Sequence, residues 1–355
     1  MYRSLLIVIF GGTFTLKIAI ILGNGFDIKL GIDSRYTDFY EYFLGQEGAK
    51  VIFNPSDGTV STPKHPELVE MMKDRYVVYW SDLELLFGQE IGRFQNINSI
   101  YHEKAYLEQK LNDYLDRQQR RVTVPYKTAD ELKKQLDEIV MRLADMCGYK
   151  LDNEENEISF ITFNYTDVID RIIETVNNAS NKRIVYKKPM HIHGRVKETV
   201  ILGVDNEKQY DYSTIEYWKE ELNKLMLKPE LNNLLRSHEV SEIVCTIDNM
   251  DAVVIYGASI GETDAMWWKK LSEWLLKNAR NKLSIIGYIE NEMSASATAQ
   301  LKLIEYKDRF GRSILPQYRE MERIETYKCE DWMFEFSSDT IIVAPKGRFD
   351  SLIVS

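Results

Sequence analysis

Cysteine is scarce in this chain: Cys147, Cys245 and Cys329 are the only three, and no two form a C-x-x-C pair. That excludes a disulfide framework and a four-thiolate structural zinc site, and it fits a reducing compartment. Positive charge is the minority sign, with 45 Lys and Arg against 55 Asp and Glu, a formal net charge of -10. Such a chain repels a polyanion on average, so nucleic acid is not an expected partner. The basic stretches RQQRRV at 117–122 and KKP at 187–189 read as solvated faces rather than phosphate tracks. Long apolar runs are also missing. Leu5 to Phe10 is only six residues, and Gly11, Gly12, Thr13, Thr15 and Lys17 interrupt the apolar character well short of a membrane span. No small-x-small cleavage site comes after that run, so residues 1–15 are expected to be an extra strand or an extension from an upstream start codon. The expected location is the cytoplasm, with no membrane partner.

The composition is globular: apolar residues at 44% and charged residues at 28% exclude a disordered or collagen-like chain. Residues 16–32, LKIAIILGNGFDIKLGI, open with an apolar run stopped by Gly23 and Gly25, the pattern of a strand buried on both faces. Tyr36, Phe39, Tyr40 and Phe43 then recur at helical spacing, with Gly45 as a stop. Residues 49–65 carry Pro55, Gly58 and Pro63 and read as a loop or hairpin, and 66–149 read as helical. Two capping boxes are expected there, Ser81 with Glu84 and Thr128 with Glu131. Further strands are expected at 157–163, 183–188, 251–256 and 282–289, with a last one at 339–344. Met266, Trp267, Leu271, Trp274 and Leu275 mark a helix after the third of these, and Thr263 could cap it. Alternating strands and helices predict an α/β fold with a Rossmann-like, doubly wound parallel sheet. The expected division is an α/β domain from 16–65 and 150–355, interrupted by a mainly helical insertion at 66–149.

In a parallel sheet, ligand-binding groups gather at the carboxyl ends of the strands. Four segments end strands with small or polar residues: GNGFD (23–27), FNYTD (163–167), HIHG (191–194) and YGASIGETD (256–264). Gly23 and Gly25 would let backbone approach a phosphate at a helix start, although Ile28 stands where the dehydrogenase fingerprint needs its third glycine. Gly257 and Ser259 offer a second such turn. Glu290 and Asn291 come just after a strand, where ribose hydroxyls are held in folds of this kind. His191 and His193 fall on one side of a strand, and His193 is the better candidate for a base, because an unperturbed imidazole takes a proton near neutrality.

In order and spacing, these motifs are similar to the sirtuin-like NAD-binding domain. The fuller set, ILGNGFD, Y-x-D-F-Y, WSDLE, FNYTD, HIHG and YGASIGETD, resembles more specifically the abortive-infection AbiH family of bacterial phage-defence proteins. The resemblance implies a sirtuin-like fold in which Asn164 and His193 flank the nicotinamide ribose as catalytic residues. The strand-end residues Gly23, Asn24, Gly25, Asp27, Gly257 and Ser259 are then read as contacts to NAD, as substrate or ligand. Asn24 and Asp27 depart from the sirtuin Gly-Ala-Gly-x-Ser pattern, so the sirtuin ligand pose is not carried over. The two C-x-x-C pairs of a sirtuin zinc module are lacking, so deacylation is not expected. No metal is expected either. The implied function is an antiphage effector that hydrolyses NAD when activated, by a phage-derived trigger or a partner defence protein, with homo-oligomers possible. Other readings stay open: a nucleotide sensor without turnover, a metal-dependent nuclease using His191, His193 and nearby carboxylates, or a partner-binding protein using Trp267, Trp268 and Trp274.

Overall fold

A computed structural model describes residues 16–48, 52–54, 59–61, 65–75, 83–94, 96–149, 156–180, 184–211, 216–287, 297–313, 324–328 and 336–344. Residues 1–15, Ser81, Glu290, Asn291 and Cys329 lie outside the described residues. Numbering only the strands of the main sheet, these are β1 (Lys17–Leu22), β2 (Asn156–Thr162), β3 (Ile184–Tyr186), β4 (Met190–His191), β5 (Ala252–Tyr256), β6 (Lys282–Gly287) and β7 (Ile324–Lys328). They pair in the order β7-β6-β5-β1-β2-β3, with β4 pairing β2 beyond the end of β3, and every pairing is parallel. The strand order reverses beside β1, between β5 and β2, which is the topological switch point of a doubly wound sheet.

The helices are α1 (Asn24–Lys29), α2 (Tyr36–Phe43), α3 (Pro66–Arg75), α4 (Leu83–Gln89), α5 (Ile97–Gln119), α6 (Ala129–Met146), α7 (Val168–Asn177), α8 (Lys219–Met226), α9 (Lys228–Asp248), α10 (Ala265–Lys277) and α11 (Ala297–Ser313). Successive strand residues point to opposite faces of the sheet, so each strand feeds two cores. Ile18, Ile20 and Leu22 of β1 pack with Phe160, Val254 and the apolar stripes of α6 and α7. Ala19 and Ile21 face the other way, onto Ile243 and Ile247 of α9 and Trp267, Trp268 and Trp274 of α10. Those three tryptophans are core residues, at most 2% exposed. A third cluster joins α2, α3, α4, α5 and α8 beside the sheet. The packing therefore crosses the expected boundary at 149: α6 covers the sheet, while α2 and residues around Val196–Tyr210 join the helical cluster.

Local expectations fared unevenly. The expected capping box at α6 is absent, because the Thr128 hydroxyl turns back to the Pro125 carbonyl at 2.7 Å and Glu131 pairs with Gln135. Thr263 does not cap α10; Asp205 does so from a distant loop, accepting the Met266 N–H at 2.8 Å. The apolar run at 339–344 is not a strand of the main sheet. Only Ile342 and Val343 pair, antiparallel to Val122 and Thr123, and the sheet edge is β7 instead. A short hairpin, Ile52–Asn54 with Thr59–Ser61, forms where a loop or hairpin was expected. In the basic stretch, Arg121 binds Asp33, Arg120 binds Asp116 and Arg117 lies over Tyr42, so its charge is answered within the chain. Among the described residues no helix is long and apolar enough to cross a membrane.

The turn after β1 touches the turn after β5 through backbone. A Cβ on Gly25 would lie 2.7 Å from the Gly257 Cα, while the Gly25 N–H donates to the Gly257 carbonyl at 2.9 Å. Gly25→Ala should therefore lower stability by about 1–3 kcal/mol, the range for forced overpacking. Gly45→Ala, where an added Cβ meets nothing within 4 Å, serves as the comparison. Urea unfolding of both variants checks this, and equal midpoints would contradict the close contact.

Candidate functional site

Leu22 of β1 is level with Thr162 of β2 on one side and Tyr256 of β5 on the other. The next residues in each strand therefore leave the sheet side by side: Gly23, Phe163-Asn164 and Gly257. On β4, His191 is level with Thr162, which puts His193 just beyond the same edge. Gly194, at φ +78, then turns the chain so tightly that a Cβ would meet the Thr199 carbonyl oxygen at 1.7 Å. Between this edge and helices α4 and α5 lies a cavity of about 770 Å³. Its wall includes Asp27, Asn164, His193, Lys228 and Asp264, with Glu84 from α4.

His193 is buried, and its Nε2 lies 2.7 Å from the Asp264 Oδ1. The same carboxylate oxygen accepts from the Lys228 ammonium at 2.9 Å, and Lys228 donates to Glu84 at 2.6 Å. Glu84 in turn accepts from the Gly203 N–H. Burial opposes the Lys228 charge, but Asp264 and Glu84 outweigh it and hold the ammonium protonated, well above its usual range. Asp264 is likewise held ionised: burial disfavours the charge, and Lys228 and His193 overcome that cost. Burial first, then the Lys228 cation, push His193 down to about 4 against the pull of Asp264. At neutral pH the ring is thus neutral, its Nε2–H given to Asp264, and its Nδ1 is a buried acceptor with no hydrogen-bond partner among the described residues. The expectation of an unperturbed histidine is corrected: the ring is ready to accept a proton but is a weaker base than a solvated one.

Asn164 stands where the apolar strand gives way to polar residues, and its place has a structural reason. Its side-chain amide donates to the Gly23 carbonyl at 3.1 Å, clipping the tip of β2 to the turn after β1. Its own carbonyl faces the His191 Nδ1 at 3.0 Å, and the other nitrogen of that ring meets Asp170 at 2.7 Å. His191 and His193 therefore serve separate partners and do not converge as a metal pair. Among the described residues no group of three or more His, Cys, Asp or Glu is arranged to hold a metal. Asp27 is 1% exposed; its Oδ2 accepts from the Thr166 hydroxyl at 2.7 Å, and its Oδ1 has no partner among the described residues. Burial raises the Asp27 carboxyl to about 7, against Thr166 and the neighbouring Asn164 amide.

The sequence profile of the bacteriophage abortive infection AbiH family matches residues 19–285, about three quarters of the chain. The chain belongs to the AbiH family. No match was found among curated proteins. In this AbiH chain, the matched region runs from inside β1 to inside β6 and contains every wall residue named above.

Of the AbiH residues singled out by sequence, Gly23, Gly25, Asp27, Asn164, His193, Gly257 and Ser259 meet at this cavity. The glycines are needed there for contact between turns, since the Gly23 and Gly25 N–H groups are given to the Tyr256 and Gly257 carbonyls. Asn24 also lines the wall, but its amide is spent on the Ser34 backbone and hydroxyl. Ser259 is exposed, and its carbonyl accepts from Arg309. Next to it, Ile260 holds φ +53, a strained conformation for a β-branched residue and a mark of a turn fixed by its surroundings. Sequence reading missed Lys228 and gave Glu84 only a capping role. The available signal was a cation at a helix start, where the helix dipole disfavours it.

Two outcomes are expected of this AbiH site. Lys228→Met would leave Glu84 and Asp264 buried without their shared cation, costing about 3–5 kcal/mol by denaturant titration. In the second, two buried groups act in opposite senses. The folded state holds the Asp27 proton up to about 7 while the unfolded chain releases it near 3.8, so this residue lowers stability as pH rises across that window. The unfolded chain protonates His193 below 6.5 and the folded state only below about 4, so this residue lowers stability as pH falls across it. Asp27→Asn should leave the histidine slope, with stability rising from pH 4 to 6.5 by about 3 kcal/mol. His193→Gln should show the reverse slope; parallel pH profiles for the two variants would contradict the assignment.

Proposed function

We propose that this AbiH protein is an antiphage effector that binds NAD in the cavity and, once triggered, hydrolyses it to nicotinamide and ADP-ribose. The observation that carries the reading is the meeting of Asn164 with a neutral His193, whose Nδ1 is an unpartnered acceptor among the described residues, in one cavity. A volume of about 770 Å³ suits a ligand of dinucleotide size. The wall carries Glu84 and Asp264 against Lys228, with Asp27 adding negative charge as pH rises, so the buried end is net anionic. That field favours the positive charge of the nicotinamide ribosyl bond as it stretches toward an oxocarbenium-like state. Phe163 and Tyr165 have ring centroids 5.6 and 6.4 Å from that of His193, and Trp268 lies 5.0 Å from Phe163. These aromatic faces suit a cationic pyridinium.

In the proposed reaction, Asn164 orients the ribose or the attacking water. Water oxygen bonds to the anomeric carbon as the glycosidic electron pair leaves with nicotinamide, which departs neutral and needs no acid. The water proton passes to His193 Nδ1, and Asp264 supports the imidazolium that forms. A second reading is a nucleotide sensor without turnover, which the low basicity of His193 favours. Nicotinamide release from NAD, measured on purified protein with excess chelator, separates the two. Hydrolysis predicts release that falls about 10²–10⁴-fold in His193→Ala and is lost in Asn164→Ala, both folded by circular dichroism. NAD binding with no release in any assembly state would favour the sensor, and absence of both would sink the NAD reading.

A further inference from the structure

Among the described residues, Asp27 is a carboxylate on the cavity wall whose hydrogen bonding is incomplete within the chain. Its Oδ2 is satisfied by Thr166, yet Oδ1 is buried and unpartnered, on a residue that lines the cavity. The Asn164 amide, near enough to stabilise the carboxylate charge, gives an N–H to the Gly23 carbonyl, and no hydrogen bond of ordinary geometry reaches Oδ1. An unpaired polar atom in the interior is costly, so the site is built for a ligand group that completes it. The chemistry of that group is narrow. A phosphate oxygen offers Oδ1 no hydrogen and would meet the negative charges of Asp264 and Glu84 as well. A hydroxyl both donates and accepts, so it complements Oδ1 whether the carboxyl is ionised or protonated.

We infer that Asp27 is a specificity-determining residue that binds a hydroxyl of the ligand's terminal ribose, so that the ligand enters sugar first and its diphosphate stays toward the mouth. Arg35 lines that same cavity at its exposed side and offers the diphosphate a cation away from the buried carboxylates. This assignment deepens the NAD reading and rests on it. It makes Asp27 a reader of the sugar, and it requires no catalytic step of Asp27.

The experiment is calorimetric titration of the full chain with ADP-ribose and with ADP, which shares the adenosine and diphosphate but lacks the terminal sugar. The variant is Asp27→Ala, which removes both carboxyl oxygens, whereas an Asn amide could still donate to the hydroxyl. Wild type should bind ADP-ribose at least about 10-fold tighter than ADP, and Asp27→Ala should reduce that preference to within about 2-fold while still binding ADP, which with circular dichroism reports the fold. A preference for ADP-ribose that folded Asp27→Ala retains would overturn the assignment while leaving the NAD reading standing. Equal affinity of wild type for the two ligands would likewise overturn it alone. Failure to bind either ligand would overturn both.

Discussion

Backbone contact between the turn after β1 and the turn after β5 is the constraint on which the site depends. Strands that are level at Leu22, Thr162 and Tyr256 would deliver their loops to one edge in any parallel sheet. Here the loops also touch, because Gly25 and Gly257 carry no Cβ and are joined by a hydrogen bond. The contact closes the floor at the topological switch point and leaves Asn164, Asp27 and His193 on the wall of a cavity rather than on a solvated rim. Asn164 reinforces it by clipping β2 to Gly23. A residue type that looks wasteful at a strand tip thus links the architecture to the site.

A second feature joins the helical cluster to the sheet. Glu84 on α4, Lys228 at the start of α9, Asp264 before α10 and His193 after β4 form one buried chain of charge and hydrogen bonds. Its members come from four separate elements. The position of α4 is therefore coupled to the protonation of His193: moving Glu84 away would leave Lys228 less well compensated and alter the field on the ring. Buried ion pairs of this kind contribute little net stability compared with apolar packing, so their presence at a cavity argues for a role in setting charge there.

Much of this was legible from sequence, for identifiable reasons. Apolar runs ending in Gly23, Asn164 and Gly257 marked buried parallel strands, and the strand-end rule then placed their polar residues together. Asp264 and His193 were both visible at strand ends, though their hydrogen bond was not. Lys228 and Glu84 escaped because their partnership spans 144 residues; the first turn of a helix gives Glu84 a local reason for its charge, while for Lys228 the same position is unfavourable, the one local sign of a distant partner. The edge strand β7 escaped because IETYK has no apolar run, whereas TIIVA at 340–344 has one and pairs over only two residues. Capping residues misled for a similar reason: Thr128 and Thr263 satisfy the local pattern, but a backbone carbonyl and a distant Asp205 offered better partners.

The most direct test of the central claim is a crystal structure of the protein with ADP-ribose bound. The account predicts the terminal ribose at the β1, β2 and β5 strand ends, within hydrogen-bond reach of Asn164, His193 Nδ1 and Asp27 Oδ1, with the diphosphate toward Arg35. Adenine or diphosphate against His193 and Asp27, or a ligand seated elsewhere on the molecule, would contradict it.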